Sequence, residues 1–167
     1  MDLLTAYNSG VLDEFLSNQF DDNARLTLKY AVHPHITFGI TLPEYTDVSK
    51  PLETEDFHLL QCLAIRDLTG SRALEVAEER AKDNLLFSRV VNKNLRIGLG
   101  PAGVNKYFPG LIPKFEQEKA KPYKPKMDLK GYSKEVKLDG SRITTVVSGG
   151  QVTFYTSGGW PIAIPHI

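Results

Sequence analysis

The chain has 167 residues, of which 41% are hydrophobic, and its 20 Lys/Arg residues balance its 20 Asp/Glu residues. That composition is typical of one or two small globular domains. The sequence has no apolar run long enough to predict a membrane-spanning helix, so we expect no membrane as a partner. The N-terminus lacks the pattern of a signal peptide, so we expect cytosolic residence. The single cysteine, Cys62, excludes an internal disulfide framework.

Charge is distributed unevenly along the chain. Residues 1–91 hold 8 Lys/Arg against 15 Asp/Glu, residues 92–142 hold 12 against 5, and residues 143–167 hold none. Clustered cations attract phosphate through a salt-dependent force that is independent of nucleic-acid sequence. The basic segment therefore indicates an anionic partner, although a solvated lysine-rich linker would have the same composition.

The first hundred residues have the periodicity of helices. Apolar spacing predicts a helix over residues 2–17, with Gly10 as a candidate break, and a second helix capped by Asp21 or Asp22. The following segment, "HPHITFGITLPEY", has the prolines and glycine of a loop.

Further helices are predicted after this loop. Thr54 is predicted to cap a helix that runs to about Leu68, and Ser71 to start the next one. Another turn or two over "LLFSRVVNKNL" leads to the glycine-rich segment "RIGLGPAGVNKYFPGLIP". Gly100 followed by Pro101 is a favourable helix start, because the first helical position suits proline.

The pattern changes after residue 115. Residues 116–130 are polar, lysine-rich and interrupted by prolines, which is typical of a linker. The period then becomes two: "KEVKL", "RITTVVS" and "QVTFYT" predict strands, and Gly149-Gly150 predicts a hairpin turn. We therefore expect an α+β chain, with an all-α domain over residues 1–115 and the first antiparallel strands of a second domain over residues 131–167.

The strand-rich segment is too short to fold as a domain by itself. Domains below about 40 residues usually need disulfides, metals or association to build enough core. The end of the segment, "GGWPIAIPHI", is apolar and rich in strand formers, and an exposed edge of that kind promotes aggregation. We therefore expect another polypeptide to complete this domain.

The segment "EVKLDGSRITT" at residues 135–145 places Lys137 beside a carboxylate, a glycine and a guanidinium. A lysine that is partly desolvated near other cations loses its proton more readily, and the free amine can attack phosphorus. Asp139 can orient a ribose hydroxyl or the lysine, Gly140 permits a tight turn, and Arg142 offers a planar fork to phosphate. A nucleotidyl-transfer site fits these residues, and so does a hairpin turn flanked by surface charges.

Wider sequence context adds a family resemblance. Residues 137–142 match the K-x-D-G-x-R signature of covalent nucleotidyltransferases, which comprise polynucleotide ligases and RNA capping enzymes. Three upstream segments resemble the helical DNA-binding domain of ATP-dependent DNA ligases from tailed phages: "LKYAVHPHITFGI", "RDLTGSRALE" and "GPAGVNKYFPGLIP". Capping enzymes lack this helical domain. Over about residues 20–160 the chain resembles the N-terminal part of such a ligase, and the expected completing chain implies a split, two-polypeptide form.

The resemblance implies a role for each residue of the signature. Lys137 becomes adenylylated by ATP, with Mg²⁺ neutralising the phosphates. Glu135 contacts the adenine, Asp139 positions the nucleotide or the nick, and Arg142 meets the ribose or the 5′-phosphate, with Gly140 between them. AMP would pass from the lysine to the 5′-phosphate of nicked duplex DNA, and attack by the 3′-hydroxyl would release it. If a phage encodes the chain, we expect it in the host cell cytoplasm.

The glycine-rich segment is the predicted DNA-gripping element. A helix that starts at Pro101 presents free N–H groups and the positive end of its dipole to an anion. We predict phosphate contacts that do not depend on base sequence, although an ordinary Gly-Pro turn would have the same sequence. The predicted DNA-binding residues are Arg96, Gly98, Gly100, Gly103, Asn105, Lys106 and Arg142.

Two features depart from the family. Ser157 stands where the family has an arginine that contacts nucleotide or DNA. The family's acidic metal-binding strand, adenine-stacking aromatic, paired phosphate-binding lysines and oligonucleotide-binding-fold domain lie beyond the matched residues. We expect a second ligase polypeptide to supply them.

Other functions remain open at this point. A non-catalytic nick-binding module or ligase remnant would use the basic segment and not Lys137. An NAD-dependent ligase also has a K-x-D-G lysine, but such enzymes have a small residue at the position of Arg142 and a different N-terminal domain. His33 and His35 form an H-x-H pair without further clustered ligands, so we assign no metal site.

Overall fold

A computed structural model of the chain describes residues 1–17, 22–115, 124–125, 128, 130–131, 133, 136 and 139–164. The chain forms two compact units, Met1–Pro113 and Lys114–Ile167. The first unit is helical and the second contains an antiparallel sheet, which confirms the α+β class. Most of the predicted linker over residues 116–130 lies outside the described residues, so the predicted domain limits stay predictions.

Short helices make up the first unit. The predicted break at Gly10 is confirmed, since its φ of 73° separates the first two helices. One helix begins at Asp22, which lies in its first turn, while Asp21 lies outside the described residues. Among the described residues, no helix combines the length and apolarity that crossing a membrane requires. The helices are α1 Leu3–Asn8, α2 Leu12–Ser17, α3 Asp22–Val32, α4 Thr54–Ala64, α5 Gly70–Ala81, α6 Leu85–Val91 and α7 Pro101–Tyr107.

The predicted limits of α4 are wrong at both ends. Glu53 and not Thr54 precedes the first turn, and its backbone N–H donates to the Asp56 carboxylate at 2.9 Å. The helix stops at Ala64 and does not reach Leu68, because Arg66 adopts a left-handed φ of 65°. Similarly, α5 begins one residue before the predicted start.

One apolar core joins the helices of the first unit. It includes Leu4, Leu16, Leu28 and Leu60, which lie at the helical spacing that the sequence predicts and are each at most 2% exposed. Burying such side chains contributes about 1.5–3 kcal/mol each relative to leaving them in water. This core fixes α3 against α6 and thereby positions the chain that follows α6.

The predicted loop between α3 and α4 is held by amide side chains of the α6 region. Asn92 binds both backbone groups of Leu42, accepting from the N–H at 2.9 Å and donating to the carbonyl at 2.7 Å. Asn84 pairs in the same way with Lys50, at 3.2 and 3.1 Å. In each case the asparagine amide supplies the donor and the acceptor that a neighbouring strand would supply in a sheet.

An antiparallel sheet forms the second unit. Within the described residues its strands are β1 Ile143–Ser148, β2 Gln151–Thr156 and β3 Pro161–Ile162, in the order β1-β2-β3. The predicted hairpin turn is confirmed, with φ of 57° at Gly149 and 78° at Gly150. The strand predicted over "KEVKL" lies mostly outside the described residues, and Val136 within it belongs to no strand.

The two faces of the sheet differ in environment. Side chains alternate along strands, so the register places Ile143, Val147, Val152, Phe154 and Ile162 on one face. The first three are exposed by 42%, 69% and 53%, which makes this an apolar face open to solvent.

On the opposite face, the Tyr155 ring packs against Phe115 with centroids 6.0 Å apart. The tight turn between β2 and β3 carries Trp160, which is 42% exposed.

Candidate functional site

The described residues of the nucleotidyltransferase signature lie directly before β1. Asp139, Gly140 and Arg142 are all exposed, and Arg142 immediately precedes the first strand residue. The β-branched run that follows favours a strand, which fixes the backbone next to the guanidinium. Lys137 and Glu135 lie outside the described residues, so their predicted roles as nucleophile and adenine contact stay predictions.

The position at which the family has an arginine falls in the turn between β2 and β3. Ser157 is exposed there. Gly159 follows with φ of 79°, and a Cβ on it would come within 2.7 Å of the Phe115 ring. The turn is therefore shaped by close packing of backbone on an aromatic ring, and its exposed hydroxyl offers no positive charge to a phosphate.

The predicted DNA-binding residues Arg96 to Lys106 lie on one continuous part of the first unit, between the end of α6 and the end of α7. Leu95 and Ile97 are 5% and 4% exposed and anchor this part in the core. Arg96 and Gly98 alternate with them, are exposed, and have left-handed φ values of 56° and 70°. Buried and exposed residues therefore alternate along this segment, and Arg96 faces the solvent.

Arg96 shares one carboxylate with a second arginine. Its Nη1 lies 3.4 Å from Glu44, and Arg89 Nε lies 3.3 Å from the same carboxylate. One negative charge between two guanidinium groups leaves a net positive charge on this surface. The Arg96 side chain is 59% exposed, and an ion pair as exposed as this contributes little, about 1 kcal/mol or less. Arg96 can therefore exchange Glu44 for a phosphate at small cost.

The predicted start of α7 is confirmed. Gly100 caps the helix in an extended conformation, and Pro101 is its first residue. A Cβ on Gly100 would meet no described atom within 4 Å, so the approach to its backbone is open. At Gly103, in contrast, a Cβ would lie 2.9 Å from the Leu99 side chain. Gly103 thus allows internal packing of Leu99, while its predicted DNA contact stays a prediction.

Asn105 is engaged inside the protein. Its Nδ2 donates to the Ile112 carbonyl at 2.8 Å, and its Oδ1 accepts the Ile112 N–H at 2.9 Å. This pairing closes the turn after α7, which the sequence prediction of a DNA contact did not foresee. The neighbouring Lys106 is exposed in the last turn of α7 and has the environment expected of a phosphate contact.

A groove of about 460 Å³ runs between the end of α3 and residues 93–101. Lys93 lines it, and sequence reasoning missed this residue because "VVNKNL" signals only the end of a helix. Its Nζ donates to the carbonyls of Tyr30 at 2.6 Å and His33 at 2.9 Å, and lies 5.7 Å from the centroid of the Phe38 ring. Burial lowers the pKa of Lys93 to about 8.

The H-x-H pair lies at the same end of α3. The centroids of the two rings are 5.9 Å apart, and the backbone N–H of His35 donates to Nδ1 of His33 at 3.1 Å. Burial lowers the pKa of His33, and the nearby charges of His35, Lys93 and Lys29 lower it further. Within the part of the chain that the structure describes, no three His, Cys, Asp or Glu side chains cluster as metal ligands.

Comparison with known proteins gives a match in structure. No protein-family model and no curated protein matches the sequence. Solved structures named Pmar-Lig_PreS3 and Pmar-Lig_Pre are 23% and 24% identical to the chain, and each has a TM-score of 0.72. The match covers 95% of this chain and 42% of each of those chains, so the present chain spans less than half of their length. The chain therefore shares its fold with a part of those two structures.

Proposed function

We propose that the chain is the N-terminal part of an ATP-dependent DNA ligase and supplies both DNA binding and the lysine that carries AMP. The observation that carries this proposal is the signature at residues 137–142, placed directly before β1 in a chain that shares its fold with a part of the structure named Pmar-Lig_PreS3. We also propose a second polypeptide, because the sheet leaves an apolar face open to solvent that a partner would cover. It would supply the rest of the nucleotidyltransferase domain and an oligonucleotide-binding-fold domain.

The proposed reaction has three steps. The neutral amine of Lys137 attacks the α-phosphorus of ATP, a P–N bond forms, and pyrophosphate leaves. The 5′-phosphate of a nick then attacks the same phosphorus, which forms a P–O–P linkage and returns the amine. Finally the 3′-hydroxyl attacks the 5′-phosphate, and AMP leaves as the phosphodiester forms.

The other residues of the signature would position the nucleotide. In this proposal Asp139 and Arg142 hold the ribose and a phosphate, and Glu135 contacts the adenine. Their exposure, where described, agrees with a surface that receives a ligand. Mg²⁺ would accompany the phosphates of ATP and neutralise part of their charge.

Duplex DNA would bind the helical unit through its phosphates. Residues 92–142 hold 12 Lys/Arg against 5 Asp/Glu, which supports contact with a polyanion. Arg96, Lys106 and the open backbone at Gly100 are the parts of this segment whose exposure suits that contact. Phosphate contacts of this kind fix the register on a duplex without reading its sequence.

The nucleophile is tested by label transfer. The chain is co-expressed with the adjoining downstream reading frame, and the purified material is incubated with α-labelled ATP and Mg²⁺. We expect label on a peptide that contains Lys137 and its loss on addition of pyrophosphate. Lys137→Arg should abolish both label and nick sealing, while the matched variant Lys130→Arg, in the same basic segment, should retain both.

Other outcomes would identify other functions. Nick binding without label would identify the non-catalytic binding module, which the basic segment alone could support. Label from NAD and not from ATP would identify an NAD-dependent ligase. Nick sealing by the Lys137→Arg complex would refute covalent catalysis by this residue, and failure of any second polypeptide to copurify or restore sealing would refute the split form.

A further inference from the structure

Lys93 occupies a position that usually belongs to glycine. It follows the last residue of α6 by two positions and has a left-handed φ of 58°. Its N–H donates to Val90 and the Asn94 N–H donates to Arg89, both at 3.0 Å, which is the hydrogen-bond pattern that commonly ends a helix at glycine. A lysine in this conformation is strained, and such strain persists where the side chain is required.

The side chain of Lys93 joins two separate parts of the helical unit. Its ammonium has three N–H groups, and two of them reach the carbonyls of Tyr30 and His33 at 2.6 and 2.9 Å. These carbonyls belong to the end of α3, where the negative end of the helix dipole favours a cation. The same ammonium lies 5.7 Å from the Phe38 ring centroid, within the range of a cation–π contact.

The residues that follow Lys93 are those proposed to contact DNA. Leu95 and Ile97 hold this segment from the core side, and the Leu95 carbonyl accepts a long 3.4 Å hydrogen bond from Arg89. The Lys93 side chain connects the start of this segment to the end of α3 through its two hydrogen bonds. The direction in which Arg96 and Gly100 face is set from that starting point.

We infer that Lys93 is a positioning residue: its ammonium ties the end of α3 to residues 94–100 and so orients Arg96 and the start of α7 toward DNA. This inference rests on the DNA binding proposed above. Lys93 acts through the segment and not by touching phosphate, because its N–H groups point to backbone carbonyls in a half-buried site. Titratable groups around it are Lys29, Tyr30, His33 and His35.

Three variants of the full-length chain separate the roles that Lys93 could have. Lys93→Gly suits the left-handed backbone and removes the side chain, Lys93→Met removes only the ammonium, and Arg96→Met removes a proposed phosphate contact. Lys29→Met is the matched control, since it removes one positive charge from the same end of α3. Affinity for a nicked duplex is measured as a function of salt concentration, and hydrogen exchange is measured for residues 94–100.

We expect both Lys93 variants to bind about tenfold more weakly, the equivalent of one hydrogen bond to a charged group. The slope of log affinity against log salt should equal that of the wild type. In Arg96→Met the slope should fall by about 0.9, as expected for one lost phosphate contact. Exchange at residues 94–100 should be faster in the Lys93 variants alone, although Lys93→Gly keeps the melting temperature of the wild type or raises it.

Several results would overturn this role. Wild-type affinity in Lys93→Gly would reduce Lys93 to a helix terminator, and a lowered salt slope in the Lys93 variants would make it a direct phosphate contact. Unchanged exchange would refute the link between α3 and residues 94–100. If the wild-type chain itself fails to bind the nick, the proposed DNA binding fails, and faster exchange in the variants would then show that the link exists without that function.

Discussion

Replacement of Asn105 by alanine tests whether this residue serves the fold or the DNA. The substitution removes both hydrogen bonds to Ile112, which are 2.8 and 2.9 Å long. Ile112 is 1% exposed, so its backbone N–H and carbonyl depend on Asn105 for these hydrogen bonds. An unsatisfied buried group costs about 1–3 kcal/mol, and two of them should lower the free energy of unfolding by about 2–4 kcal/mol.

Urea denaturation followed by circular dichroism at 222 nm measures this loss. For a helical unit of this size each kcal/mol corresponds to roughly 4 °C in melting temperature, so we expect a decrease of about 8–16 °C. Lys106→Ala is the matched control at the next position of α7. It should change stability by no more than about 0.5 kcal/mol, because the side chain is exposed, while weakening nick binding.

The opposite pattern would refute this reasoning. If Asn105→Ala keeps the urea midpoint of the wild type and loses nick affinity, the side chain contacts DNA and its pairing with Ile112 contributes nothing. A variant that loses both properties can be examined below its melting temperature, where a purely internal role predicts normal affinity.

Further predictions concern charged groups. Burial raises the pKa of Asp2, but hydrogen bonds from Ser49 and Thr5 and from the start of α1 lower it more. The Asp2 carboxylate therefore stabilises the folded chain above about pH 4, and this stabilisation is lost as the pH falls below that value. In urea denaturation the greater stability of the wild type over Asp2→Asn should shrink over the same pH range. Arg80→Met leaves the Asp56 carboxylate, 3% exposed and 2.7 Å from Arg80, buried without its charge partner. The loss should be about 3 kcal/mol, and adding Asp56→Asn should recover part of it, whereas no recovery in the double variant would exclude a charge effect. The pKa of Lys93 is lowered from 10.5 to about 8, so the unfolded chain holds more protons between these values and stability should rise with pH there. The rise should be missing from Lys93→Met in pH-dependent calorimetry.

Local pattern was sufficient to predict most helices and the hairpin. Ala24, Leu28 and Ala31 recur at helical spacing and are at most 3% exposed in α3. Gly149-Gly150 supplies the positive φ values that a two-residue turn between twisted strands requires. Both signals arise from neighbours in sequence, which is why they can be read without the fold.

Contacts between distant residues account for the errors. Arg66 leaves the helical conformation while its guanidinium donates to Thr37 at 2.9 Å and fills the space beside Gly39. Apolar spacing alone predicts continuation of α4 to Leu68, because it carries no information on such a partner. The pairing of Asn105 with Ile112 is likewise a contact that its own sequence pattern does not predict, and the predicted DNA contact of Asn105 stays a prediction.

The residues of the candidate site also differ in whether the sequence predicts them. The signature at residues 137–142 is a run of six neighbouring residues and can be recognised from the sequence. Lys93 acts through carbonyls sixty and more positions away, and nothing in its own neighbourhood predicts them.

The position of the single tryptophan has a practical consequence. Trp160 lies in the turn between β2 and β3, whereas the helices all lie in the first unit among the described residues. Indole emission therefore reports on the sheet, while the far-ultraviolet helical signal reports on the other unit. One unlabelled sample can thus reveal, by two optical channels, whether a second polypeptide or a nucleic acid engages the sheet, the helices or both.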